Sequence, residues 1–588
     1  MDDSSSLPLP IDSPPISRVP SYIQFGAPKR AMASFENLVA LANYEERLRE
    51  ARKIVWRDRG EPPADVDGLW ECFEHAARGG LRAGGLAFAI RSGVNFILLM
   101  TRIKKIPRSY RFAVIRQALF GSDSFRFAAM LGLFVSIYKF ILNSLPILLP
   151  GSLGGNTSHR RHVSHSRTRR KFLSDYPRGS EALLAASATP FDDVEEGDIE
   201  IGRGRLTSER KARLSLSTQE YLRKRTKRWH SVIAGAVAGG AAILCEKRGR
   251  RVTIAQQLFV RGLQGSYNAF SDKHNFKIPH GDVLVFSLCC GQILYGFLLR
   301  PDTLPRAYVH WIQEAGKIPK ESVSMNRDLV RDHFFKFSDM NKIINRPDIT
   351  PSNLTDLLSR QALALADTPS WGPFFGPCSA VHPSLDSCLN VPLNRFWEVF
   401  KWMFPIYGAL HLIPMVLFKR KTVLREPAKM LVRAGWGTAR SSAFLGVFVV
   451  IYQSFFCWKH STWVSLMALR SPKAQSILAA LAKLLPQSLV DLLLSKPSFW
   501  LGGLLSGLSL FVEEARRRPE LAMYVLPKGL ESAWVMARGK RLVPRTGQYG
   551  EALLTAIGMG MVMSIYQNDP QHLSGLVRRI LYQFVGPN

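Results

Sequence analysis

The sequence predicts an all-α fold, a polytopic membrane helix bundle of two parallel repeats, each of about four transmembrane helices, with a disordered basic loop. Three observations predict it. Leu, Ile, Val, Phe, Gly and Ala are gathered into long, nearly uncharged runs, as a lipid-embedded helix requires. One of those runs is written twice. The formal net charge of +32 is concentrated beside the runs, not inside them.

The duplication is carried by three pairs of segments in the same order. At an offset of 314, Arg126, Ala129, Gly132, Phe134, Val135, Ile137 and Tyr138 meet Arg440, Ala443, Gly446, Phe448, Val449, Ile451 and Tyr452. At an offset of 267, Gly235, Gly240, Glu246 and Arg250 meet Gly502, Gly507, Glu513 and Arg517, and Arg261-Gly262-Leu263 meets Lys528-Gly529-Leu530. At an offset of 269, Gly281-Asp282, Leu284, Gly291, Phe297 and Pro301 meet Gly550-Glu551, Leu553, Gly560, Tyr566 and Pro570. Charged and proline positions match along with the apolar ones, which chance similarity of greasy helices does not produce.

In chain order, residues 1–32 form a Ser/Pro-rich tail predicted to be disordered. Residues 33–80 read as an amphipathic helical region, with Phe35, Leu38, Leu41, Leu48 and Ile54 among charges. Candidate spans lie at 84–101 and 127–149, the first two helices of a repeat over 81–150. Residues 151–228 are rich in Ser, Arg and His, then acidic, then basic again, a composition that cannot bury a core and predicts a disordered charged loop. Spans at 230–245 and 282–299 complete the first repeat within 229–300. A connection over 301–396 includes an amphipathic stretch, Tyr308–Ala315. The second repeat, 397–588, holds spans at 398–418, 441–458, 498–512 and 551–567. Within it the Leu-rich stretch 474–494, interrupted by Pro486, reads as an interfacial helix or a re-entrant hairpin.

Lys and Arg crowd the loop after the first span of each copy (102–116; 419–433) and the loop after the third (247–261; 516–545). Both copies therefore share one orientation, as four helices per copy demand. The basic excess points to anionic lipid headgroups, since no basic soluble domain with stacking aromatics accompanies it, and nucleic acid is not expected. Seven scattered cysteines make no disulfide framework. The opening Met-Asp-Asp-Ser-Ser-Ser has no apolar h-region, so any targeting information is expected to be internal.

Charged groups within apolar spans are the first functional candidates. These are Arg91, Lys139 (where Gln453 stands in the other copy), Glu398, Lys401 and His411. They read as a polar path for a solute or, as the favoured alternative, as snorkelling side chains and a local Glu398–Lys401 pair. Gly235-x-x-x-Gly239 and Gly503-x-x-x-Gly507 let helix backbones approach closely, which suits packing within the bundle and also helix-mediated self-association. In the connection, Cys378-x3-His382-x5-Cys388 offers three zinc-type ligands, one short of a closed site. Asp386 is the only carboxylate within it, so a disulfide or a packed loop without a ligand is favoured, and no metal or cofactor is expected. The His159, His162, His165 patch reads as a solvated loop. Phosphate loops, His-Glu-x-x-His and Gly-x-Ser-x-Gly are absent, so no catalytic residue is assigned and an enzyme is not expected.

The repeated Gly-x-Phe-Val-x-Ile-Tyr helix, the glycine-rich third helix ending in Glu246, Leu299-Arg-Pro-Asp-Thr-Leu-Pro305 and the Cys378–Cys388 segment resemble the transmembrane protein 135 family and its fungal relatives. The four-helix unit also resembles the peroxisomal membrane proteins of the Pmp type, grouped with the mitochondrial Tim translocase superfamily. The resemblance covers about 80–320 and 390–585. Here the cysteine segment lies between the copies instead of near the N-terminus, and the basic insertion is additional. The resemblance implies an integral protein of the peroxisomal membrane first and the mitochondrial membrane second. It implies non-enzymatic lipid or metabolite handling and a part in organelle dynamics. The alternative it carries is a Tim-type component for protein translocation or insertion.

Overall fold

The computed structural model describes residues 68–100, 103, 107–149, 227–365, 375–418, 424–544 and 546–586, and every regular element among them is a helix. The Ser/Pro-rich tail, most of the 33–80 region, the charged loop as far as residue 226 and the His159 patch lie outside the described residues.

The helices run in order as α1 (Leu69–Met100), α2 (Arg108–Phe120), α3 (Ser122–Leu148), α4 (Arg228–Ala242), α5 (Arg248–His274), α6 (Gly281–Leu299) and α7 (Arg306–Gly316). The connection continues through α8 (Lys320–Asp332), α9 (Phe337–Ile344), α10 (Pro351–Ala364) and the single turn α11 (Cys378–Val381). Then come α12 (Val391–Phe418), α13 (Pro427–Arg470), α14 (Ile477–Leu484), α15 (Gln487–Leu492), α16 (Lys496–Ser506), α17 (Arg518–Gly539), α18 (Gly550–Asn568) and α19 (Gly575–Phe584). Two ends are tightened into 3-10 turns, Ile243–Cys245 after α4 and Gly507–Val512 after α16. The expected amphipathic stretch at 308–315 falls on α7, and Pro486 splits the Leu-rich stretch into α14 and α15.

Among the described residues, five helical runs are long and apolar enough to cross a membrane: Leu69–Met100, Arg108–Leu148 (broken at Gly121), Arg228–Cys245, Gly281–Leu299 and Pro427–Arg470. The expected spans at 398–418, 498–512 and 551–567 are helical as well, but they are not among these five. Helix α13, with 44 residues, is about 66 Å long at a rise of about 1.5 Å per residue, twice a hydrocarbon core of about 30 Å.

The helices fall into two compact units. One comprises the described residues within 275–546, and the other the described residues within 68–274 and 547–586. In the first, α6 forms the centre, with Phe286, Ile293 and Phe297 in a core shared with Met403, Tyr407, Val449 and Phe499. A satellite core of Met325, Leu329, Met340, Ile343, Leu357 and Ala380 supports the connection. In the second unit, α18 takes the central place, its Met559, Val562 and Met563 packed with Tyr138, Leu142, Ala238 and Ile243.

This grouping differs from the linear division at 300 and 397. Helix α6 lies with later helices, and α18 with earlier ones. The glycine faces explain the partners. A Cβ on Gly235 would sit 2.7 Å from the Met559 carbonyl oxygen of α18, and one on Gly503 would sit 2.7 Å from the Cys290 carbonyl oxygen of α6. Apolar attraction to a neighbouring helix is no stronger than to lipid, so dispersion across such close backbone contacts selects the partner. Both small-residue faces are thus occupied within their own units.

Candidate functional site

In each unit a glutamate terminates the glycine-rich helix. After α16 the 3-10 turn ends at Glu513, whose backbone turns extended (φ −81°, ψ 157°) while its N–H donates to the Leu510 carbonyl at 3.1 Å. The side chain points inward and is 2 % exposed. Its Oε1 lies 2.8 Å from the Arg517 guanidinium and accepts from the Ser441 hydroxyl at 2.8 Å. Arg518 closes the helix end by donating to the carbonyls of Glu513 at 3.0 Å and Phe511 at 2.9 Å. Those carbonyls have no intrahelical donor, and a guanidinium fork supplies one.

In the other unit α4 ends the same way. Glu246 (φ −82°, ψ 159°) is fully buried, and its Oε1 lies 3.1 Å from Arg250. Arg251 donates to the carbonyls of Glu246 and Leu244, both at 2.7 Å. Asp123 of α3 pairs with Lys247 and lies 3.3 Å from Arg250. In both cradles the second carboxylate oxygen, Oε2, is buried without a hydrogen-bond partner among the described residues. Sequence reading used Glu246 and Glu513 only as matched positions. Their chemistry was signalled by an acid at the end of a glycine-rich span followed by arginines four and five residues on.

The charged candidates from the apolar segments take different places. Arg91 joins the electrostatic neighbourhood of Asp123, Glu246 and Arg250. His411 lies close to Gly437 of α13 and within the field of Arg517. Lys139 and Gln453 are both buried: Lys139 Nζ is 3.3 Å from His75 Nε2, and Gln453 donates to the Gly316 carbonyl at 2.6 Å. Glu398 pairs with Arg395 at 2.6 Å, whereas the sequence suggested Lys401. The i−3 partner wins because Arg395 is itself buried and its charge is compensated there.

A second constellation gathers around the connection. Cys378, His382, Cys388 and Cys457 bring their ligand atoms within 4.8 Å of one another. Three come from the motif read in the sequence. The fourth, Cys457 of α13, was not legible, because a cysteine in an apolar helix bears no spacing relation to a distant loop. Asp386 is exposed and outside the cluster. None of the four is in a disulfide.

The loop is held firmly. Asn353 of α10 donates to the carbonyls of Pro383 and Leu385, both at 3.0 Å, and Ser379 donates to Asp356 at 2.6 Å. Ser322 donates to the Ala380 carbonyl, and Asn326 accepts from the Gly376 N–H at 3.0 Å. His382 is 2 % exposed, with Nδ1 2.9 Å from the Leu385 carbonyl and Nε2 3.4 Å from Cys388 Sγ. Burial pulls the His382 imidazole down, but contacts with Cys457 and that carbonyl outweigh it and raise it to about 9. Hydrogen bonding with Cys378 brings the Cys388 thiol down to about 7 against burial.

No family model, curated protein or solved structure matches this chain.

Proposed function

We propose that this is a non-enzymatic integral membrane protein, of peroxisomes and/or mitochondria, that handles lipids or small metabolites and takes part in organelle dynamics. In this reading the chain holds two copies of one helical unit that have exchanged their fourth helices, α6 and α18. The paired segments of the sequence support the duplication, as do the two helix ends built on Glu246-Arg250-Arg251 and Glu513-Arg517-Arg518.

The observation that carries the handling role is the twin cradle. A buried carboxylate beside an arginine at the end of an apolar helix is expensive to maintain, and among the described residues each keeps one oxygen without a hydrogen-bond partner. A break in a glycine-rich helix is also where membrane carriers place polar groups against a solute. The peroxisomal assignment, with mitochondria second, rests on the family resemblance.

The test is reconstitution of the purified chain in liposomes with fluorescent acyl lipids and small carboxylates, alongside localisation of a tagged chain in cells. Uptake or exchange above empty liposomes, lowered several-fold by Glu513→Gln and Glu246→Gln, is the expected result. Absence of binding and transfer for all of them overturns the reading. Capture of an arrested precursor by crosslinking would favour the Tim-type alternative instead.

A further inference from the structure

We propose that Cys378, His382, Cys388 and Cys457 bind one Zn2+ in a closed structural site that fastens the connection to helix α13. The inference does not depend on any role in lipid or metabolite handling.

The donor set is complete. Structural zinc is held by four Cys or His ligands in a tetrahedron, and Cys3His is one of the common combinations. With bonds of about 2.3 Å to sulfur and about 2.0 Å to nitrogen, tetrahedral ligand atoms stand about 3.5–3.8 Å apart. The Cys388 Sγ to His382 Nε2 separation is 3.4 Å, and all four donor atoms fall within 4.8 Å, so the set needs only a small contraction.

The surroundings are those of a metal ligand sphere. The Leu385 carbonyl accepts from His382 Nδ1–H, which leaves Nε2, 3.4 Å from Cys388 Sγ, as the nitrogen available to the metal. Ligating histidines are generally fixed in this way, by a carbonyl or carboxylate on the other nitrogen. His460 Nδ1 lies 3.2 Å from Cys378 Sγ, where it would donate to a thiolate and temper its charge. The His460 ring is itself held edge-on by Phe375 at 3.9 Å, so it supports the ligand shell from outside. Asn353 fixes the loop between His382 and Cys388 through its carbonyls.

A disulfide explains less. It would use two of the three cysteines and leave a third thiol and an aimed imidazole without a role. Four protein ligands leave no open position for water or substrate, so the site is structural. Three thiolates and a neutral imidazole around the ion leave a centre of net charge −1, so binding displaces the protons those groups carry, and its free energy adds to that of the folded unit. Three ligands come from the connection and one from α13, so the metal joins segments that are far apart in sequence.

The test uses the full chain, purified in detergent without chelator under reducing conditions. Elemental analysis is expected to find about one zinc ion per chain, falling toward zero in Cys457→Ser and unchanged in Cys245→Ser. Because loss of zinc in Cys457→Ser could also follow from unfolding, the wild-type chain is tested independently. A strong chelator should expose three further thiols to a maleimide, and Co2+ added to the stripped chain should give the visible absorption of tetrahedral thiolate coordination. Wild-type chain that carries no zinc and takes up neither ion overturns the proposal. So does iron or copper in place of zinc, or a disulfide among Cys378, Cys388 and Cys457 found by peptide mapping.

Discussion

Glu513 and Arg517 form an ion pair of 2.8 Å across the turn between α16 and α17, with the carboxylate buried and the guanidinium about one-third exposed. Ser441 donates to the same oxygen, so the acid is held from α13 and from the turn that leads into α17. Removing it leaves a partly buried arginine without its counter-charge, bonded to the Ser441 hydroxyl at 2.9 Å. Glu513→Ala is expected to destabilise by about 2–3 kcal/mol, less than the full cost of breaking a wholly buried pair because Arg517 reaches solvent. Glu514 pairs with Arg440 at 3.2 Å in an exposed position, and Glu514→Ala should change stability by under about 1 kcal/mol. Thermal unfolding in detergent, followed by tryptophan fluorescence, compares the two. Equal losses would show that the cradle adds no stability of its own.

The close approach of α16 to α6 gives a sharper contrast. A Cβ on Gly503 would meet backbone atoms at 2.7 and 2.8 Å, and backbone cannot rotate away as a side chain can. Gly503→Ala is therefore expected to destabilise by about 1–3 kcal/mol, and Gly503→Leu by more. Gly85 of α1 has nothing within 4 Å of a built Cβ. Gly85→Ala should be neutral or stabilising by up to about 1 kcal/mol through helix propensity. Detergent unfolding midpoints of the two alanine variants decide it, and the contact is mis-assigned if Gly503→Ala behaves like Gly85→Ala.

The exposed leucines of α14 carry a third prediction. Ile477, Leu478 and Leu484 are 83 %, 65 % and 80 % exposed, on a helix too short to span a bilayer. Such a face fits an apolar surrounding such as lipid or detergent. A nitroxide at Leu484 in reconstituted protein should collide preferentially with oxygen over a water-soluble relaxant, and one at exposed Asp491 of α15 should show less of that preference. Preferential collision with the aqueous relaxant at both positions would place this helix in water.

Helical class and most spans were legible because apolar runs of this length have few other solutions. The grouping of those helices was not. Pairing α6 with α16 and α18 with α4 depends on which glycine faces meet across several hundred residues, and periodicity within a helix does not encode a partner. The same limit hid Cys457. Residues Cys378, His382 and Cys388 are local and could be read as a motif, whereas the fourth donor depends on where α13 lies beside the loop. Glu398 shows the limit at short range, since both Arg395 and Lys401 are three residues away and burial decided between them.

Asn353 offers a probe of that loop without touching a sulfur or the imidazole. Its amide donates to the Pro383 and Leu385 carbonyls at 3.0 Å each, and Leu385 in turn orients His382. Asn353→Ala leaves those carbonyls short of a buried donor, at an expected loss of about 1–3 kcal/mol. Asn353→Asp should be worse, because a carboxylate facing carbonyl oxygens repels where the amide attracted. The local consequence is measurable apart from global stability. Cys378 and Cys388 should react several-fold faster with maleimide in Asn353→Ala than in wild type, while Cys245, in the other compact unit, should keep its rate. If all three rates rise together, the variant loosens the whole chain; if none rises, Asn353 does not hold the loop.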